Sequence, residues 1–231
     1  MRFLIQFLLI VFCVLLLGLE ISNTRVQILD YYLENNIFNI FFVSFCIIVI
    51  VNGSNFIDGV NLNTLIYYFL INFILYILAD DYNLLLSQEG FLLLGISLVV
   101  ISIFNFKNKL FLGDNGTYLL GFFYSVVLID FYESNQTISP FFIILLLWYP
   151  AFENLFSILR KFIIGKSPLK PDNLHFHHLI YLYLNKKIET KNIKINSTGI
   201  VINLFNEGGI LFAHGFDNIR KKYHTREFEK K

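Results

Sequence analysis

Six runs of mostly apolar residues, each 16 to 19 residues long, dominate the sequence: 3–20, 37–53, 64–80, 90–105, 117–133 and 140–158. A helix needs about 20 such residues, and at least about 17, to cross a bilayer. Several runs are rich in Phe and β-branched residues, but none alternates as a half-buried strand would. In lipid a segment of this length must satisfy its backbone internally, which leaves the helix. The fourth run, 90–105, is the shortest. With 56% hydrophobic and 18% aromatic residues, the chain lies outside the usual range of a soluble domain. The expected fold class is therefore all-α, a polytopic membrane helix bundle of about six transmembrane helices.

The first run has the minimal basic start of a signal peptide, Met1-Arg2, yet Glu20-Ile21-Ser22-Asn23 follows it without an Ala-x-Ala-like cleavage site. A retained span is expected. Residues 197–212 begin like a seventh span but are interrupted by Asn206-Glu207-Gly208-Gly209, and 217–231 are mostly charged. The chain thus divides into a membrane domain, 1–195, and an atypical polar tail, 196–231. Cys13 and Cys46 sit inside apolar runs, where they behave as small hydrophobes and not as a disulfide or metal pair. The net charge of +1 carries no signal for nucleic acid.

Loops 21–36, 81–89 and 134–139 hold one basic residue, Arg25, whereas 106–116 and 159–197 hold Lys107, Lys109, Arg160, Lys161, Lys166, Lys170 and four further lysines. The positive-inside rule places the second set in the cytoplasm, together with Met1-Arg2 and loop 54–63. Three unusual polar segments then share the cytoplasmic face: 52–63, 105–117 and 166–178.

The first begins Asn52-Gly53-Ser54-Asn55-Phe56-Ile57-Asp58-Gly59. On a helix, Asn52, Asn55 and Asp58 would share a face and present two amides and a carboxylate to a base or sugar. The plain alternative is a helix end closed by Gly59. In the second segment, after Asn105, Asp114 stands between Gly113 and Gly116. Glycines admit a phosphate close to the backbone and a carboxylate suits Mg²⁺, although Gly-Asp-Asn-Gly also spells an ordinary turn. The third holds Lys166 and, after Asp172, the cluster His175-Phe176-His177-His178, downstream of Arg160. Such donors suit diphosphate oxygens; a zinc site and a plain basic loop are the rivals.

In this order, Asn-x-x-Asn-x-x-Asp-Gly at 52–59, Phe-Leu-Gly-Asp-x-Gly-Thr at 111–117 and Lys-Ser-Pro-x-x-Pro-Asp-x-x-His-x-His-His at 166–178 resemble the signatures of the polyprenyl-phosphate N-acetylhexosamine-1-phosphate transferases, glycosyltransferase family 4. The resemblance covers about residues 1–195. The His-Phe-His-His form is closer to the branch that starts enterobacterial common antigen and O-antigen. It implies transfer of N-acetylhexosamine-1-phosphate from a UDP-N-acetylamino sugar such as UDP-N-acetylglucosamine to a polyprenyl phosphate such as undecaprenyl phosphate. UMP is released, and the lipid-linked diphospho-sugar serves cell-wall or surface polysaccharide synthesis. The implied setting is the bacterial inner membrane, with the site facing the cytoplasm. By the same resemblance Asp114 binds Mg²⁺, or Mn²⁺, and His175, His177 and His178 act on phosphates. Asn52, Asn55, Asp58 and Gly59 hold the nucleotide, with Asn105, Arg160 and Lys166 as further substrate contacts.

The family carries an Asp-Asp pair ahead of the Asn-x-x-Asn segment and has more than six spans, and nothing upstream of Asn52 supplies that pair. Asp80-Asp81 lies downstream and outside, and reads as a solvated loop. An N-terminally incomplete family member, with a frameshifted or degenerate end, is the expectation. The rival functions are a non-catalytic remnant or polytopic binding protein and, more remotely, a transporter. The sequence leaves the amino sugar and homodimerisation open.

Overall fold

The computed structural model describes residues 2–163, 165, 175–185, 190, 193–204 and 206, and these are helices and connecting turns with no strand. Five of the six apolar runs are single helices: α1 (Arg2–Leu17), α3 (Asn36–Ile57), α4 (Asn63–Leu78), α5 (Gln88–Phe106) and α6 (Gly113–Ser134). Loop 21–36 contains a short helix that hydropathy did not reveal, α2 (Gln27–Leu33). Beyond the runs lie α9 (Phe176–Asn185) and a helix over 193–204, α10.

The sixth run departs from expectation. It is broken into α7 (Pro140–Leu146) and α8 (Trp148–Ile163), which bend by 74°. The cause is Pro150, which has no N–H to give the Leu146 carbonyl four residues back and whose ring crowds it. The Tyr67 hydroxyl donates to that carbonyl instead. The bend directs Tyr149, Pro150, Glu153, Asn154, Ser157 and Lys161 inward as one buried face of α8.

α3 is the central helix, packed against α1, α6 and α8, while α4 pairs with α5. Small residues let the backbones meet, as in membrane helix pairs generally. A Cβ on Gly53 would lie 2.0 Å from the Pro150 carbonyl oxygen, and one on Gly121 would lie 2.6 Å from Ser54 Oγ. Tyrosines fill the core between α4, α6 and α8, and each hydroxyl has a partner. Tyr68 bonds to Ser54, Tyr124 donates to Asn72 at 3.0 Å, and Tyr149 accepts from Asn63 at 3.2 Å. Partnering of this kind is what buried phenols require.

The periphery is apolar. Leu8, Phe12 and Leu15 on α1, Leu93, Ile96 and Ile103 on α5, and Phe152, Phe156 and Leu159 on α8 are all exposed. A surface of that extent has lipid as its solvent. α3 and α5 are each long and apolar enough to span a bilayer, α7 with α8 forms a broken third candidate, and α1 and α4 are shorter apolar helices. Polar groups collect at the two ends. At one, Glu133 accepts from Ser22, Arg25 donates to the Ile138 carbonyl at 2.9 Å, and Gln88 donates to Asp80 at 3.0 Å. The other end carries the candidate site, across the 22 residues of α6, about 33 Å.

Candidate active site

Two helix ends meet at the centre of the site. α3 runs four residues past the apolar stretch and ends at Ile57, with Asp58 as its C-cap. Gly113, at φ +64°, opens α6 and puts Asp114 in its first turn. The 113–117 segment is thus a helix start and not an isolated turn. α6 has no side-chain cap of its own. The Asp58 carboxylate lies close to the Gly113 backbone amide, which brings the end of α3 to the start of α6, where negative charge is favoured.

Asn55 Nδ2 donates to Asp114 Oδ1 at 2.8 Å and lies 3.4 Å from Thr117 Oγ1, while Thr117 donates to the Asp114 carbonyl at 2.9 Å. Asp58 accepts from Thr64 Oγ1 at 3.1 Å. Asp58 and Asp114 are near enough to interact. Burial, reinforced by the Asp114 charge, pushes the Asp58 carboxyl up to about 6 despite the bond from Thr64 and the nearby Gly113 amide.

The histidine segment closes onto α3. His177 is 2% exposed and lies against Gly59, where a Cβ would come within 1.8 Å of Nε2. Gly59 does not have the left-handed conformation of a helix-closing glycine; among the described residues Gly18, Gly113 and Gly165 do. What position 59 requires is space for an imidazole. Burial, followed by the charges of His178 and His175, lowers His177 to about 3, so this ring is neutral at physiological pH. It can donate one hydrogen bond but supplies no positive charge. His175 stacks parallel to His177 at 5.7 Å and packs on Phe56 at 5.2 Å, and His178 lies 4.3 Å from His177.

The other sequence-derived residues divide. Asn52 donates back along its helix to the Ile48 carbonyl at 2.9 Å, and no bond joins it to Asp114 among the described residues. Asn105 is buried with both ends of its amide bonded to backbone: Oδ1 accepts from Leu62 N at 2.8 Å and Nδ2 donates to the Leu110 carbonyl at 2.9 Å. It shapes the loops beside the site and holds Leu62 at φ +68°. Arg160 sits two turns beyond Glu153 on α8, its guanidinium 5.6 Å over the Phe156 ring. Lys166 lies outside the described residues. α10 reaches the site loop from behind. Asn196 accepts from Asn61 at 3.0 Å, and Asn203 donates to the Asn63 carbonyl at 3.0 Å.

Sequence reading missed Glu153, which is 4% exposed and bonds to both His175 and the backbone of Phe176. The signal was present, because it is the one charged residue in the run 140–158. An acid inside such a run requires a partner. Thr64 and Thr117, the hydroxyls on the two carboxylate-bearing turns, were also missed.

An all-helical bundle with lipid-facing flanks and carboxylates, amides and imidazoles gathered at one end is a membrane protein with a polar site at the bilayer surface. This chain belongs to glycosyl transferase family 4, whose model matches residues 1–132, more than half of its 231 residues. It is similar to the undecaprenyl-phosphate alpha-N-acetylglucosaminyl 1-phosphate transferase of Thermotoga maritima, 33% identical over 34% of this chain and 25% of that protein. It is also similar to the probable undecaprenyl-phosphate N-acetylglucosaminyl 1-phosphate transferase of Bacillus subtilis, 36% identical over 42% of this chain and 30% of that one. A third relative, the decaprenyl-phosphate N-acetylglucosaminephosphotransferase of Mycolicibacterium smegmatis, is 30% identical over 31% of this chain and 21% of its own length. The matched stretch thus spans less than a third of each of these relatives. No solved structure matches the chain. The family match ends before the histidines, so their membership of the site rests on the contact of His177 with Gly59.

Proposed function

We propose that the chain transfers N-acetylhexosamine-1-phosphate from a UDP-N-acetylamino sugar to a polyprenyl phosphate, giving a lipid-linked diphospho-sugar for surface polysaccharide or cell-wall synthesis. The observation that carries this reading is the convergence of Asn55, Asp58, Asp114 and the three histidines at one end of a lipid-embedded bundle. A lipid phosphate and a soluble nucleotide sugar can meet only at such a surface.

The residues fit Mg²⁺ or Mn²⁺. Two neighbouring carboxylates, one of them raised mainly by burial and further by the other's charge, form a centre whose repulsion a divalent cation offsets. Among the described residues no group of three or more His, Cys, Asp and Glu is arranged as a metal cage. That suits Mg²⁺, which typically takes one or two carboxylates and completes its shell with phosphate oxygens and water. Asp114 and Asp58 would hold the ion. When bound, it neutralises charge on the diphosphate during phosphoryl transfer. Asn55 fixes the Asp114 carboxylate through its hydrogen bond, and the histidines supply donors to phosphate oxygens. Lys107, Lys109, Arg160 and Lys161 favour the cytoplasm for this face.

Membranes containing the chain, in a host lacking related enzymes, should convert radiolabelled UDP-N-acetylglucosamine and polyprenyl phosphate to a lipid-linked diphospho-sugar. Asp114→Asn should lower the rate by about 100-fold or more, the cost of one preorganised electrostatic group. Absence of product at every Mg²⁺ and Mn²⁺ level would reject the reading. A second reading, binding without turnover, is favoured by the position of Asp80, which lies beyond the far end of α4 from the site and is engaged by Gln88. It predicts UDP-sugar binding with no product.

A further inference from the structure

We propose that Glu153 is a positioning residue that sets the ring orientation and tautomer of His175, resting on the transferase reading for its consequence but not for its geometry. Glu153 lies on α8 just past the break at Leu147 and is 4% exposed. Its two carboxylate oxygens have separate tasks. Oε2 lies 3.0 Å from His175 Nδ1, and Oε1 accepts the Phe176 backbone N–H at 2.8 Å. The second bond satisfies an orphan amide in the first turn of α9, where an anion is favoured. One carboxylate therefore fixes both the start of the helix that carries the histidines and the first of their rings.

The tautomer is assigned from the acceptor. An ionised carboxylate can only accept, which assigns the proton of this contact to Nδ1 and leaves Nε2 as the nitrogen with the lone pair. Phe56 and His177 pack against the ring at 5.2 and 5.7 Å, so it cannot turn freely about the bond to Glu153. His177 is placed instead by its contact with Gly59. Glu153 thus gives His175 a defined donor and acceptor nitrogen. Nε2 can take a proton or, once protonated, donate to a phosphate oxygen while Glu153 offsets the ring's charge. The 74° break has a role here: a straight sixth helix would not turn the Glu153 face toward α3 and α9.

The test uses the full chain in lipid nanodiscs, ¹⁵N-labelled at histidine, with His175→Gln to assign the signal. In the parent protein His175 should be the Nδ1–H tautomer, and Glu153→Ala should shift it toward Nε2–H. An unchanged tautomer in Glu153→Ala would overturn the proposal, whether or not the chain turns over. Glu153→Gln, which keeps volume and one acceptor, guards against loss of the fold, and its unfolding temperature is to be checked first. In the transfer assay Glu153→Gln should lower kcat by about 10- to 100-fold with KM for UDP-N-acetylglucosamine within about threefold, and Glu153→Asp should restore part of the rate. A rise in KM alone, or kcat unchanged in a folded Glu153→Gln protein, would also reject the positioning role. If the parent chain forms no product, the transferase reading fails while the tautomer measurement still decides the Glu153–His175 pair.

Discussion

Gly59→Ala is the sharpest test of how the two ends of the site come together. The added Cβ would lie 1.8, 2.4 and 2.6 Å from Nε2, Cδ2 and Cε1 of His177, whereas ordinary contact begins at 3.4 Å. The ring would have to retreat by about 1.6 Å, and at 2% exposure, stacked on His175 and against a tilted His178, it can do so only by displacing its neighbours. Backbone conformation is not at issue, since position 59 is not left-handed. Overpacking of this kind costs about 1–3 kcal/mol. For a chain of this size that is a fall of roughly 2–12 °C in the unfolding temperature, measured in nanodiscs of fixed lipid composition at one scan rate. The decisive measurement is the cycle with His177→Ala. Removing the ring makes room for the methyl, so the double variant should be more stable than the two single effects predict by at least about 1 kcal/mol. Additivity within about 0.5 kcal/mol would mean that the histidine segment does not sit on Gly59.

Asn55→Leu, close in volume, removes the donor 2.8 Å from Asp114 and should lower transfer about 10- to 100-fold; a change under twofold in the radiolabel assay would remove Asn55 from the site. His177 should stay neutral in ¹⁵N imidazole spectra from pH 8 to 5. Its folded value lies below the unfolded 6.5, so stability is complete above 6.5 and is lost as pH falls toward about 3, by about 2 kcal/mol at pH 5. A ring titrating near 6.5 would contradict its burial. Asn105→Ala should destabilise by about 1–3 kcal/mol, because the Leu62 N–H and the Leu110 carbonyl both lose their partner and Leu62 is left in a strained conformation. Its KM for nucleotide sugar should change little in the protein that remains folded; a selective rise in KM with no loss of stability would make Asn105 a substrate contact instead.

The membrane character of the chain was legible because lipid imposes a local rule: backbone within the bilayer must be helical and its residues apolar, and both can be counted along the chain. Five of the six runs are single helices for that reason. The spacing of Asn55 and Asp58 was legible too, since neighbours at i+3 share a helix face whatever surrounds it. Asp114 was conspicuous as an acid between glycines. Hydropathy could not show that the sixth run bends, because it scores Pro150 as one residue among many while a backbone sees a missing N–H and a clash.

The sequence by itself determined the class of solvent, the helices and which polar segments stand apart from the apolar ones, all properties of residues close in the chain. Only the tertiary structure decided what each polar residue does. Gly59 accommodates a ring 118 positions away, Asn105 holds two loops, His177 is neutral through burial, and Glu153 meets His175, 22 positions further along the chain. These roles depend on contact and on exclusion of water, and both arise only when distant segments are brought together.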